Sequence, residues 1–258
     1  LFRSDGSSSA INFNSGFSST NSVTQSSAGT ISAGNMQVAG NLTVNNTGDG
    51  SITGIVSNGA SAASITKLGS GSLVLSGTNT YSGLTTVNAG ILSVSNSTGL
   101  GGTTSGTTVA SGASLELQGG ITVSEGLTVL GNGASSTGAL RNLSGTNYLT
   151  TALTVTGATK IQSDAGTLWL TPNSGNAITG TYNLTFDGSG TTMAGALGIA
   201  NVLTEYDKTT EAKEIYKLLV NSEPTSHTGF HAMLNQAHLT MWERNYRSEE
   251  HTSELQSH

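Results

Sequence analysis

The chain has 258 residues, of which 35 are Gly, none is Cys and only 9% are charged. Without cysteine it has no disulfides and no thiolate metal sites. A formal net charge of −6 offers no basic footprint for nucleic acid, and no apolar run approaches the ~20 residues that span a bilayer as a helix.

These averages conceal a break. Residues 1–192 hold 32 of the 35 Gly and 10 charged residues, whereas residues 193–258 hold 3 Gly, 14 charged residues and all five His. The shift falls near Gly188–Ala196 and reads as a boundary between unrelated segments. Net charge is −2 before it (4 Lys/Arg, 6 Asp/Glu) and −4 after it (5 against 9). The chain opens at Leu1 with no basic segment ahead of an apolar run, so it reads as a fragment without a signal peptide.

Residues 1–35 carry the weakest pattern and are expected to be weakly structured or to form first degenerate rungs. Over residues 36–192 short alternating runs recur: Leu42-Thr-Val44, Leu73-Val-Leu75, Leu92-Ser-Val94, Leu115-Glu-Leu117, Leu127-Thr-Val129, Leu153-Thr-Val155, Leu168-Trp-Leu170 and Leu184-Thr-Phe186. Period-two alternation puts the bracketing apolar residues on one face of a strand. Gly, Asn and Ser flank the runs and supply turns. Many intervals are about 15–23 residues, which suits rungs joined by turns of variable length. The expected fold is mainly β: a right-handed parallel β-helix, or solenoid, with Leu, Val and Ile inside and Thr, Ser and Asn laddered outside.

One segment is more specific. Residues 65–94 place Lys67, Gly69, Gly71, Leu73, Leu75, Gly77, Asn79, Thr80, Tyr81, Gly83, Thr85, Thr86, Gly90, Leu92 and Val94 in a fixed order. This order resembles the autotransporter-associated β-strand repeat, also called the passenger-associated transport repeat. Leu84 departs from it, standing where Gly is common. On physical grounds Leu73, Leu75, Leu92 and Val94 are expected in the core of successive strands. Gly77, Gly83 and Gly90 are expected at tight corners, Asn79 in a ladder or turn, and Tyr81 as a cover over a corner.

The resemblance, extended over about residues 11–190, implies a structural passenger of a secreted or cell-surface protein. Such a passenger reaches the extracellular side through an outer-membrane β-barrel translocator, and folding rung by rung would oppose backsliding. No such barrel follows in this sequence. The implied role is that of a stalk for display, with a contribution to adhesion to a surface ligand the sequence does not identify.

Residues 1–192 offer no catalytic constellation, so the sequence reads as non-enzymatic, and no catalytic, cofactor-binding or metal-binding residue is expected. His is absent there, so no Ser-His-Asp triad can form. Asp49, Asp164 and Asp187 stand alone, and the Gly-rich run Gly99–Gly106 lacks the Lys and helix of a phosphate loop. Glu116 and Glu125 could pair across adjacent rungs, although solvated surface carboxylates are the plainer expectation.

From Ala196 the period becomes helical. Ile199, Leu203, Tyr206, then Ala212, Ile215, Tyr216 and Leu219 give two amphipathic faces, and Pro224 follows the second. Ala200 and Ala212, Tyr216 and Pro224 are spaced as in a tetratricopeptide repeat, which residues 193–246 resemble in the manner of elongation-complex subunits. Complete, such a part would bind protein. His227, His231 and His238 fall short of a defined metal site, and Met241 and Trp242 read as helix packing. Residues 247–258 resemble a translated sequencing adapter, which makes a chimera the simplest reading of the whole chain. The alternative functions are a tetratricopeptide protein-binding scaffold and a solenoid polysaccharide lyase or hydrolase.

Overall fold

The computed structural model describes residues 2–4, 11–13, 21–25, 31–172 and 176–194, with side chains placed over residues 32–172 and 176–192. The described part is almost wholly parallel β-structure wound into a solenoid of about seven turns. The helices expected over 193–246, the three His and the tail 247–258 lie outside the described residues. Compactness divides the chain into Leu1–Met193 and Ala194–His258.

Register shows how the turns stack. On a first face, Asn21, Leu42, Ile65, Thr85, Thr107, Leu127, Leu153 and Ile178 pair in order, each with the next. From Leu42 onward each turn therefore takes 20 to 26 residues, read directly from those positions. A second inward column runs Val44, Lys67, Val87, Val109, Val129, Val155. Between the two points an outward column of Thr43, Thr66, Thr86, Thr108, Thr128, Thr154 and Thr179. This is the hydroxyl ladder the sequence leads one to expect. β-Branched Thr suits the outer surface of a pleated strand and keeps a hydroxyl in water.

A second face stacks Ser72–Leu75, Gly90–Val94, Ala113–Gln118 and Leu140–Ser144. Leu73, Leu92, Leu115, Leu140 and Ile161 form its fully buried column. Alongside, Leu75, Val94 and Leu117 give way to Asn142 and Ser163. These polar residues are satisfied inside: Asn142 Nδ2 donates to Ser163 Oγ at 3.1 Å and to the Ala165 carbonyl at 2.8 Å. Asn147 donates to Asn142 Oδ1 and accepts the Ile121 N–H at 2.8 Å.

The third face is shorter. Its ladder includes Thr122–Val123, Thr146–Leu149 and Thr167–Leu170. Tyr148 and Trp169 stack outside it, ring centroids 6.4 Å apart. Three strands bend round a corner and serve two faces each: Met36–Asn46, Val56–Leu68 and Leu153–Ser163. The interior is thus a narrow column, mostly apolar, with buried polar residues such as Asn142 and Ser163 set into it. Each turn covers the turn before it, so burial grows by addition along one axis.

Candidate functional site

The segment 65–94 makes one complete coil, Ile65 to Thr85, and two faces of the next, and its polar residues do more than decorate it. Lys67 occupies an inward position, between Val44 of the preceding turn and Val87 of the following one, and is fully buried. Its ammonium has three N–H donors and three acceptors: the carbonyls of Leu68 at 2.7 Å, Gly69 at 2.9 Å and Ala89 at 3.3 Å. The side chain thereby ties its own turn, 68–69, to the corner of the next coil. Burial pulls its pKa down to about 8, so the ammonium is charged at neutral pH.

Asn79 bridges a place where no strand is formed. Residues 76–84 carry no ladder strand, although Thr80 and Tyr81 N–H groups both reach the Val56 carbonyl. The side-chain amide of Asn79 acts as a substitute peptide group. Its Oδ1 accepts the Val56 N–H at 2.8 Å from the turn before, and its Nδ2 donates to the Gly99 carbonyl at 2.6 Å in the turn after. One side chain therefore links three turns, the ladder role of the two the sequence leaves open. A buried polar group so satisfied contributes specificity of register.

Tyr81 differs from its expected role. It is fully buried, and so fills the corner from within. Its hydroxyl shares a 2.6 Å hydrogen bond with Thr85 Oγ1, and burial raises its pKa. Gly101 of the next turn, at φ +85°, closes over the ring; a Cβ there would stand 2.9 Å from it. Gly90 holds a comparable corner at φ +66°, where a Cβ would meet the carbonyls of Gly69 and Gly71, each at 2.5 Å. Leu73, Leu75, Leu92 and Val94 are fully buried, as expected, with Leu73 over Leu92 and Leu75 over Val94.

Leu84, the residue that departs from the repeat, is 40% exposed, directed outward just before Thr85. The interior never meets it. Leu84→Ser is expected to change the free energy of unfolding by less than about 0.5 kcal/mol, measured by urea titration.

The carboxylates correct the sequence reading. Glu116 and Glu125 do not pair, and neither is a solvated surface group: they are 5% and 4% exposed. Glu116 lies on the second face beside Arg141, its direct cross-rung partner, with Nη1 to Oε1 at 2.6 Å. Arg141 also pairs with Asp164. Glu125 lies at a corner, where it accepts the Thr107 hydroxyl. Thr107 stacks on Thr85, so a polar strip runs from Tyr81 through two buried threonines to Glu125. Asp164 and Asp187, isolated in sequence, are paired in space, Asp187 with Lys160 at 2.6 Å. Asp49 is exposed. The run Gly99–Gly106 leads into the strand Thr107–Val109.

Sequence reasoning missed two interior residues, Lys67 as a staple and Glu125 as a buried carboxyl. A usable signal existed for Lys67. It falls on the inward phase of Ile65-Thr-Lys67, where a charged residue requires acceptors inside.

Taken together, these features define a parallel β-solenoid with at least one polar-stapled coil. A family model described as passenger-associated-transport-repeat matches residues 65–94, the segment that holds Lys67, Asn79 and Tyr81. No curated protein and no solved structure matches the chain.

Proposed function

We propose that residues 36–192 are part of the stalk of an autotransporter-like passenger, a structural and non-enzymatic element displayed outside the outer membrane. The observation that carries this reading is that the matched repeat, 65–94, lies wholly within the stacked coils of the solenoid, its first turn covered by its own second, Ile65 by Thr85 and Leu73 by Leu92. A stalk requires stacking without long-range closure, and each turn here is covered only by its neighbours. The partner implied is an outer-membrane β-barrel translocator. Each emerging coil would bury its inward column on the coil already outside, and that burial would favour onward movement. Contribution to adhesion belongs to the same reading, through surfaces presented by the stalk.

The test is display. The full chain is placed between a signal peptide and a β-barrel translocator and compared with a form lacking 65–94. Surface exposure is read by external protease. The intact chain is expected outside, with display reduced several-fold by the deletion. Equal display of both forms would contradict the role assigned to the coil.

A further inference from the structure

A crevice of about 320 Å³ opens between two turns, beside the polar strip. One wall is the loop between Gly90–Val94 and Thr107–Val109, which supplies Thr98, Leu100 and Thr103; the other is Val123, Ser124 and Glu125 of the next turn. Hydroxyl groups and an aliphatic wall thus surround one carboxyl. Glu125 Oε1 takes the Thr107 hydroxyl, whereas Oε2 accepts no hydrogen bond from any described residue.

The charges of the solenoid isolate this carboxyl. Among the described residues three cationic side chains are placed: Lys67, Arg141 and Lys160. Lys67 is held by carbonyls, Arg141 by Glu116 and Asp164, and Lys160 by Asp187. Glu116, Asp164 and Asp187 are therefore matched, Asp49 is in water, and buried Glu125 has no described cation. A buried carboxylate without a counter-charge is costly, and a cation supplied from outside removes that cost.

We propose that this crevice binds a primary alkylammonium group, with Glu125 as its counter-ion. One carboxylate balances one positive charge. A divalent ion would want several oxygen ligands and more than one carboxylate, and no group of three or more His, Cys, Asp or Glu that could hold a metal occurs among the described residues. An ammonium has three donors for Oε2 and neighbouring hydroxyl oxygens, and Leu100 and Val123 suit its carbon chain. Lys67 provides the internal precedent: the same fold already houses an ammonium among three oxygen acceptors. The ligand is either a free amine or a lysine side chain of another protein. The site does not depend on the stalk function.

The test uses calorimetric titration of the full chain at pH 8 with n-butylammonium and, separately, with Nα-acetyl-lysine N-methylamide. Saturable binding is expected. Binding of both ligands assigns the site to lysine side chains, and binding of butylammonium alone assigns it to free amines. Burial raises the Glu125 pKa to about 7, so affinity at pH 5 should fall about a hundredfold as the carboxylate is protonated. Glu125→Gln, which can still accept from Thr107, should weaken binding at least about tenfold. Thr103→Trp, at an exposed position of the rim, should block the crevice with the carboxyl intact. No saturable binding at pH 8, binding unchanged by both variants, or equal competition by potassium would overturn the proposal.

Discussion

Replacing Lys67 by Met is expected to lower the stability of the solenoid by on the order of 3 kcal/mol. Two effects oppose each other at this position. The neighbouring turns carry Val44 and Val87 in the same column, so an apolar side chain would be at home there and would escape the cost of burying a charge. That gain is about 1–2 kcal/mol. Against it, Met would leave the carbonyls of Leu68, Gly69 and Ala89 without the ammonium. Hydrogen bonds to a charged donor contribute about 1.5–3 kcal/mol each, and three are lost together. The carbonyls are only part-buried and water recovers some of that loss, which brings the net to the figure given. Urea unfolding of Lys67→Met measures it. A midpoint equal to or above that of the parent chain would show that the column prefers an apolar residue and that Lys67 is no staple.

The second large effect is a trough in stability near neutral pH. Burial raises the folded-state pKa of Glu125 from 4.5 to about 7. Between those values the folded chain holds a proton that the unfolded chain releases. The stability from Glu125 is therefore full below pH 4.5 and is lost as pH rises through 7. Lys67 has the opposite sign. Its folded pKa is lowered from 10.5 to about 8, so the unfolded chain holds the extra proton between those values. Stability then rises from pH 8 towards 10.5. Each limb is on the order of 3 kcal/mol, from shifts of about 2.5 pH units. Denaturation midpoints should fall from pH 5 to 7, lie lowest between 7 and 8, and recover by pH 10. Glu125→Gln should flatten the acidic limb alone and Lys67→Met the alkaline limb alone. A monotonic profile, or one variant flattening both limbs, would contradict the assignment.

Much of the fold was legible because its logic is local. All eight alternating runs lie in strands, from Leu42-Thr-Val44 within Met36–Asn46 to Leu184-Thr-Phe186 within Leu184–Asp187. Their uneven spacing has a simple cause. Leu127 and Leu153 belong to the first face, Leu92 and Leu115 to the second, and Leu168 to the third. Intervals between runs mix positions on different faces, whereas on the first face the period stays at 20 to 26 residues.

What alternation could not reveal are the polar residues inside. Thr85 and Thr107 replace Leu or Ile in an inward column, and in sequence they resemble the Thr residues of the outer ladder beside them. The acceptor that closes the Lys67 site, Ala89, comes from 22 residues further along. Glu125 stands at a corner, where alternation ends and no periodicity marks inside from outside. Tyr81 was misplaced for the same reason. Its neighbourhood depends on Gly101 in the following turn.

All of this rests on turns stacked in one register, and the Thr ladder gives a direct ruler. Spin labels at Thr43 and Thr154 sit on one outward column, five steps apart through Thr66, Thr86, Thr108 and Thr128. With strands about 4.8 Å apart, electron–electron double resonance should give a narrow distance distribution near about 24 Å, broadened only by the label linkers. A broad distribution centred at roughly 50 Å or more, as an unstacked chain of that length would give, would contradict the solenoid and with it the stalk.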